Sequence, residues 1–279
     1  MKLYTIELKN EYANLCGGSL ECLLMDYPWD GEATIGWRRP ALIVVPGGGY
    51  CYTSKREGGP IASEFFARGF QAFVLHYTAA GEDGVPYPEQ LLELASAVDY
   101  IKKHADELHV NPDEVFAVGF SAGGHLAGNL AVDHPFISEK FGVDLDCKPT
   151  AVGLSYPVIS QKYGHIGSYE NLCWGYTEEA KQELAKTFPL DETVNDQTSP
   201  AFIWATANDG VVPAENALRY ALALAKRNIP YELHVYPNGP HGLSNCRLEI
   251  NGESAGRLKA AKWLDDCAEF FRTYIVEKF

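Results

Sequence analysis

The sequence lacks several features that would place it in other functional classes. It contains no run of roughly 18 apolar residues, the length that a membrane-spanning helix needs, so we expect no membrane association. It has 23 Lys and Arg against 37 Asp and Glu, too few basic residues to form the surface that a phosphate backbone requires. We therefore expect no nucleic-acid partner. The formal net charge of −14 instead favours solubility.

Paired cysteines, a targeting segment and a metal motif are also missing. The seven cysteines are odd in number, irregular in spacing and without a C-x-x-C pair, which predicts reduced thiols and a cytoplasmic protein. The segment MKLYTIELKNEYANL has neither an apolar core nor a small-residue cleavage site, so we expect no signal peptide. No group of His, Cys, Asp or Glu has the spacing of a metal site, and we predict no metal and no cofactor.

What the chain does contain is an alternation of apolar runs and amphipathic segments. Strands are predicted at 2–9, 19–26, 41–46, 70–77, 115–120, 151–157, 201–207 and 231–237, and helices at 87–105, 122–133, 213–227 and 254–275. Continuous apolar runs such as ALIVVP indicate strands that are buried on both faces. The alternation predicts an α/β protein with a mostly parallel, eight-stranded sheet covered by helices. Since no linker or repeat interrupts it, residues 1–279 are predicted to form one domain.

One long segment breaks this alternation. Residues 161–198 lie between two predicted strands and carry several aromatic residues. Because connections of this length are usually functional, we predict a small cap over a pocket; a surface excursion with one or two short helices is the alternative. Aromatic rings can stack on sugars, so Trp174 and Tyr176, together with Tyr50 outside this segment, are candidate substrate contacts.

The motif GFSAG, residues 119–123, ends a predicted strand and precedes a predicted helix. A plain glycine-rich connection is the simplest explanation. In a sharp strand-to-helix turn, however, small flanking residues are required, and the serine oxygen lies exposed at the helix N-terminus. Backbone N–H groups at that position can stabilise an anion. Ser121 is therefore the candidate nucleophile, and the N–H of Ala122 is a candidate oxyanion donor.

A serine nucleophile needs a base and an orienting carboxylate. His241 follows the last predicted strand in PNGPHG, and Asp209 follows the preceding strand in ANDGVV. Either could be an ordinary turn residue. The chain order Ser121, Asp209, His241 nevertheless is the nucleophile–acid–base order of α/β-hydrolases, which favours a triad. His125 lies about one turn into the helix after Ser121, so we expect it to have a structural role.

A glycine loop, PGGGY at residues 46–50, follows the strand predicted at 41–46. Glycines allow backbone N–H groups to approach an oxyanion closely, which makes the N–H groups of Gly48 and Gly49 further candidate oxyanion donors. A phosphate-binding loop is the weaker alternative, because neither G-x-x-x-x-G-K-[ST] nor G-x-G-x-x-G occurs. The adjacent Cys51 lacks the context of a nucleophile and is predicted to be a pocket wall or packing residue.

These segments together resemble the α/β-hydrolase superfamily, and within it most closely the bacterial acetyl-xylan and feruloyl esterases. The similar stretches are VVPGGGY, REGGPIA, FVLHY, NPDEVFAVGFSAGGHLAG, SPAFIWATANDGVVP and YPNGPHGL, spread over residues 41–242. The resemblance implies an α/β-hydrolase fold, the triad described above and oxyanion donors in the glycine loop and at Ala122. Many relatives carry histidine where Pro46 stands, but that histidine is not a triad member.

The expected function is a serine carboxylic-ester hydrolase that forms an acyl-enzyme on short acyl esters, an acetylated oligosaccharide being one candidate substrate. An amide-bond hydrolase, either a peptidase or arylformamidase-like, is an alternative because the same triad serves both reactions. A catalytically silent binding protein with a hydrolase fold is a second alternative. The natural ester, the motion of the cap and the oligomeric state, a homo-oligomer included, stay open.

Overall fold

A single sheet of eight strands organises the computed structural model, which describes residues 1–26, 37–252 and 259–275. The strands are β1 (Lys2–Glu7), β2 (Ser19–Leu24), β3 (Arg39–Val45), β4 (Gln71–His76), β5 (Val110–Phe120), β6 (Val152–Ser155), β7 (Ala201–Thr206) and β8 (Tyr231–Tyr236). Their spatial order is β1-β2-β4-β3-β5-β6-β7-β8. Strand β2 is antiparallel to both neighbours, and the remaining pairs are parallel. The predicted mostly parallel sheet is confirmed.

The helices of the described residues connect these strands. They are α1 (Leu8–Glu11), α2 (Gly59–Ala67), α3 (Ala80–Asp83), α4 (Glu89–Lys103), α5 (Ala122–Asp133), α6 (Ile137–Phe141), α7 (Ile166–Leu172), α8 (Glu178–Leu184), α9 (Leu190–Thr193), α10 (Glu215–Lys226), α11 (Leu248–Asn251) and α12 (Trp263–Arg272). Short 3-10 helices occupy Lys55–Glu57, His134–Phe136, Gln161–Tyr163 and Lys259–Lys262. None of the helices so described has the length and apolar character of a membrane span.

Most predicted elements are present, although several bounds differ by a few residues and several short helices were not predicted. The first strand ends at Glu7 because α1 begins at Leu8. Helix α2 was not predicted, since Gly58, Gly59 and Pro60 are typical of a loop; the proline lies in the first turn, where its missing N–H costs nothing. The helix predicted over 254–275 is found as a 3-10 turn and α12, and its residues 254–258 lie outside the described part of the chain.

The sheet separates two apolar cores, as strand β3 illustrates. Ala41, Ile43 and Val45 belong to the core on one face, and Leu42 and Val44 belong to the core on the other. Helices α4, α5 and α10 cover the first face, whereas α2 and α12 cover the second. Because successive strand residues point to opposite faces, a strand buried on both faces is apolar throughout.

The carboxyl ends of the parallel strands lie at one edge of the sheet, and in α/β proteins ligands bind at this edge. The glycine loop follows β3, Ser121 follows β5, Asp209 follows β7 and His241 follows β8. The topology therefore brings four segments that are far apart in sequence to the same side of the molecule.

Residues 161–198 form a small helical insertion, with α7, α8 and α9, that contacts the body beside the glycine loop. Asn171 Nδ2 donates a 2.8 Å hydrogen bond to the carbonyl oxygen of Gly49. The backbone N–H of Tyr87 donates to the carbonyl oxygen of Leu172 at 3.0 Å. The ring of Phe188 packs edge-on against Tyr87, with centroids 5.0 Å apart. The insertion thus lies where a cap would lie, and its role as a cap stays a prediction.

Candidate active site

Ser121 occupies a strained turn between β5 and α5. Its φ of 53° and ψ of −115° fall in a region that non-glycine residues rarely adopt. The turn also brings backbone segments very close together. A Cβ on Gly119 would lie 2.1 Å from the carbonyl oxygen of Gly123, and a Cβ on Gly123 would lie 2.2 Å from that of Val45. Only glycine fits at either flank, which is the physical reason for the G-x-S-x-G pattern here.

The three residues predicted as a triad form one chain of hydrogen bonds. His241 Nε2 is 2.9 Å from Ser121 Oγ, and His241 Nδ1 is 2.7 Å from Asp209 Oδ2. The other carboxylate oxygen of Asp209 accepts from the backbone N–H groups of Val211 and Val212 at 2.8 and 3.0 Å. The Asp209 side chain is fully buried, so the loop after β7 holds the carboxylate in place for the imidazole ring.

The glycine loop leaves two backbone donors free beside Ser121. Gly48 and Gly49 have φ values of +126° and +64°, and a Cβ on Gly48 would lie 1.9 Å from the carbonyl oxygen of Tyr52. Both glycines line the same pocket as Ser121. Their N–H groups, like that of Ala122, donate no hydrogen bond to any described residue. These are the three donors that the sequence predicted for an oxyanion.

Glu57 is a buried carboxylate behind this loop that the sequence analysis did not single out. Its Oε2 accepts from the N–H of Gly47 at 3.0 Å, and its Oε1 accepts from the hydroxyl of Tyr156 at 2.7 Å. The Tyr156 oxygen in turn accepts from the N–H of Ser244 at 2.9 Å, and its ring packs edge-on against His241. Burial raises the pKa of Glu57, while both hydrogen bonds lower it. The carboxylate therefore connects the loops that follow β3, β6 and β8.

Ser121 and His241 open into a pocket of about 380 Å³. Its wall includes His165 and Asn171 from the insertion, and Tyr52 and Arg56 from the segment that follows the glycine loop. The sequence indicated none of these four as wall residues, because nothing in a linear pattern shows which face of an irregular segment meets the site. Cys51 also lines the pocket, in agreement with its predicted role as a wall residue.

The three residues predicted as substrate contacts do not line this pocket. Tyr50 is buried in the core, where its hydroxyl lies 2.9 Å from His125 Nδ1. Trp174 is 57% exposed, and Tyr176 donates its hydroxyl hydrogen to the carbonyl oxygen of Tyr87. The chain direction after the glycine turn carries Tyr50 inward, and the other two lie in the turn between α7 and α8, outside the pocket lining.

His125 has no ring nitrogen free to act on Ser121. Its Nε2 donates to the carbonyl oxygen of Phe188 at 3.1 Å, so its Nδ1 accepts from the Tyr50 hydroxyl. Burial lowers the pKa of His125 to about 4. This placement agrees with the structural role that was expected for it.

No cluster of three or more His, Cys, Asp or Glu side chains within residues 1–26, 37–252 and 259–275 is arranged to hold a metal ion. All seven cysteines are free thiols. The reactive groups present at the site are a hydroxyl, an imidazole, a carboxylate and backbone donors.

The fold and this arrangement of residues define an α/β-hydrolase of the esterase class. Residues 33–224 match the BD-FAE family, and the chain belongs to that family. It is 39% identical over 224 residues to the endo-1,4-beta-xylanase B of Butyrivibrio fibrisolvens, a match that covers 78% of this chain and 35% of the relative. It is 29% identical over 210 residues to the acetylxylan esterase of Xylanibacter ruminicola, covering 72% of this chain and 40% of the relative.

Among solved structures, the chain is similar to the acetyl ester-xyloside bifunctional hydrolase from Caldicellulosiruptor lactoaceticus. The TM-score is 0.80 at 30% identity, and the match covers 97% of this chain and 96% of that one. The resemblance to acetyl-xylan esterases that the sequence indicated is confirmed. The chain spans only 35% and 40% of the length of the two curated relatives, so their activities are not transferred to it directly.

Proposed function

We propose that the chain is a serine carboxylic-ester hydrolase in which Ser121 is the nucleophile, His241 the general base and Asp209 the orienting carboxylate. The observation that carries this proposal is the hydrogen-bonded series Ser121–His241–Asp209, which opens into a pocket beside the N–H groups of Gly48 and Gly49, neither of which donates to a described residue. Such an arrangement of nucleophile, base and oxyanion donors is what acyl transfer requires.

The reaction follows from this geometry in two halves. His241 Nε2 accepts the proton of Ser121 as Oγ attacks the ester carbonyl carbon, and the resulting oxyanion accepts hydrogen bonds from Gly48, Gly49 and Ala122. His241 then donates that proton to the leaving alcohol oxygen, which leaves Ser121 acylated. His241 Nε2 then accepts a proton from water as the water oxygen attacks the acyl carbon, and returns it to Ser121 Oγ as the acid leaves. Asp209 keeps the Nδ1–H of His241 in place throughout.

For the substrate, we propose a short acyl ester of a carbohydrate, with acetyl the first candidate. Two matches support this class, since one is named an acetylxylan esterase and the other an acetyl ester-xyloside hydrolase. The pocket wall supports it as well. Arg56, His165 and Asn171 present polar groups suited to sugar hydroxyls, and Tyr52 presents a half-exposed aromatic ring. Amide hydrolysis uses the same residues and remains the alternative outcome.

A hydrolysis panel tests the proposal and separates the alternatives. We expect the wild-type chain to hydrolyse acetylated xylo-oligosaccharides and p-nitrophenyl acetate, with turnover falling as the acyl chain lengthens, and Ser121→Ala to hydrolyse neither while remaining folded. Faster turnover of aminoacyl anilides or an N-formyl aryl amide would move the assignment to amide hydrolysis. No turnover of any ester or amide would favour a silent binding protein.

A further inference from the structure

His165 brings a second imidazole ring to the pocket that holds Ser121 and His241. It is the residue just before α7 and has a φ of 45° and a ψ of 52°, a left-handed conformation that is uncommon outside glycine. The preceding Gly164 has a φ of +98°, and a Cβ there would lie 2.8 Å from Pro213 Cδ. The chain is thus turned tightly against the loop that follows Asp209. Backbone strain that the surrounding structure maintains is common at functional sites.

The hydrogen bonds of His165 determine which ring nitrogen carries the proton. Its Nδ1 lies 2.7 Å from the Oγ of Ser168, which is buried. The Ser168 hydroxyl has no other acceptor among the described residues, and a buried donor left unpaired would be costly, so it donates to Nδ1. The neutral ring then carries its hydrogen on Nε2, which bonds to no described residue.

The ring is held beside the glycine loop and near the proposed base. Its Cε1, the atom next to Nε2, is 3.5 Å from where a Cβ on Gly49 would lie. Burial lowers the pKa of His165, and positive charge on His241 lowers it further, so the neutral form is favoured. In the proposed reaction His241 returns its proton to the leaving alcohol. Because His165 lines the same pocket and is close enough to His241 for their charges to interact, we place it on the side that the alcohol part of the ester occupies.

We propose that His165 is a specificity-determining residue whose Nε2–H donates a hydrogen bond to an oxygen of the alcohol part of the substrate. It thereby favours esters of sugars over esters of alcohols that carry no second oxygen. This inference rests on the proposed function, because it requires the ester to be attacked by Ser121.

The test compares two acetates that differ in the oxygens of the alcohol: mono-acetylated methyl β-D-xyloside and cyclohexyl acetate. The variant is His165→Asn, because asparagine tolerates the left-handed conformation and can still accept from Ser168, but has no group where Nε2 stood. We expect kcat/KM for the xyloside ester to fall about tenfold, the size of one lost hydrogen bond, and that for cyclohexyl acetate to stay within about twofold. The loss should appear mainly in KM, since bound substrate already makes the contact.

Two further variants keep the inference falsifiable. His165→Gln restores an N–H at a reach similar to that of Nε2 and is expected to recover most of the preference. Ser168→Ala frees the ring to move its proton to Nδ1 and is expected to weaken the preference in the same direction. Equal losses on both acetates, or no loss on either, would overturn the role of His165. A wild-type chain that hydrolyses neither acetate would instead overturn the proposed function itself.

Discussion

Replacing Glu57 by glutamine tests whether the buried carboxylate positions the oxyanion loop. Both of its partners are donors, the N–H of Gly47 and the hydroxyl of Tyr156. Glutamine has one acceptor oxygen, so its amide nitrogen must face one of these donors. The less costly arrangement keeps the bond to Gly47 and turns the amide nitrogen toward Tyr156. The Tyr156 oxygen then accepts from both the amide and Ser244, and its hydroxyl hydrogen loses its acceptor.

The magnitude follows from these contacts. A hydrogen bond to a charged group contributes roughly 1.5–3 kcal/mol, and we expect Glu57→Gln to lower the free energy of unfolding by about that amount. For a chain of this size the melting temperature should fall by about 5 °C. Complete loss of an oxyanion donor lowers kcat by roughly 10²–10³, so a loosened loop that keeps its donors should lower kcat by about tenfold.

Thermal unfolding and p-nitrophenyl acetate kinetics measure the two effects, and Glu64→Gln is the matched control. Glu64 lies on α2, pairs with Arg68 and Arg247 at 2.8 and 2.7 Å, and is not part of the pocket wall. The control is expected to lose stability and keep its kcat. If Glu57→Gln destabilises the chain but retains the kcat of the control, Glu57 is only structural and the positioning role is wrong.

Three further predictions concern the turn at Ser121, the triad and a buried carboxylic acid. Gly123→Ala should cost about 1–3 kcal/mol or more of unfolding free energy, because the new Cβ would meet two backbone oxygens at 2.2 and 2.3 Å; near-wild-type stability in urea unfolding would contradict this. Asp209→Asn should lower kcat by about 10³–10⁴-fold with the fold intact, because its one amide oxygen accepts from Val211 and Val212 and its NH2 group then faces His241 Nδ1, which favours the wrong tautomer. A loss under tenfold in ester assays would argue against the triad. Burial, with the charge of Glu89 adding to it, raises the pKa of Glu93 from 4.5 to about 8. The folded chain then holds this proton more tightly than the unfolded chain, so the free energy of unfolding should decline by up to about 4–5 kcal/mol as pH rises from 4.5 to about 8. Glu93→Gln should flatten that decline in denaturation midpoints measured across the interval, and an unchanged slope would rule Glu93 out as its source.

The sequence predicted the sheet and the residues of the proposed triad because both depend on local patterns. Strands buried on two faces, such as β3 and β7, are continuous apolar runs. Of the glycines beside Ser121, Gly119 is required by a contact within the same turn, and Gly123 is required by the backbone at the end of β3. Parallel strands then place their carboxyl ends at one edge, so residues at those ends could be expected to meet.

The pocket wall could not be predicted because it depends on contacts between distant segments. His165 and Asn171 reach the site through the way α7 packs on the glycine loop, and no periodicity indicates that packing. The aromatic residues that were chosen instead, Trp174 and Tyr176, lie in the same insertion but in the turn between α7 and α8, which does not line the pocket. One sequence feature could have indicated a role for Glu57: it is a charged residue within the segment REGGPIA, which resembles esterases.

Mass spectrometry after reaction with a fluorophosphonate tests the central claim most directly. The proposed mechanism predicts a single phosphonyl group on the peptide that contains Ser121, complete loss of p-nitrophenyl acetate turnover in the labelled chain, and neither label nor turnover in Ser121→Ala. A label on another residue, or Ser121→Ala with wild-type turnover, would contradict the assignment of Ser121 as the nucleophile.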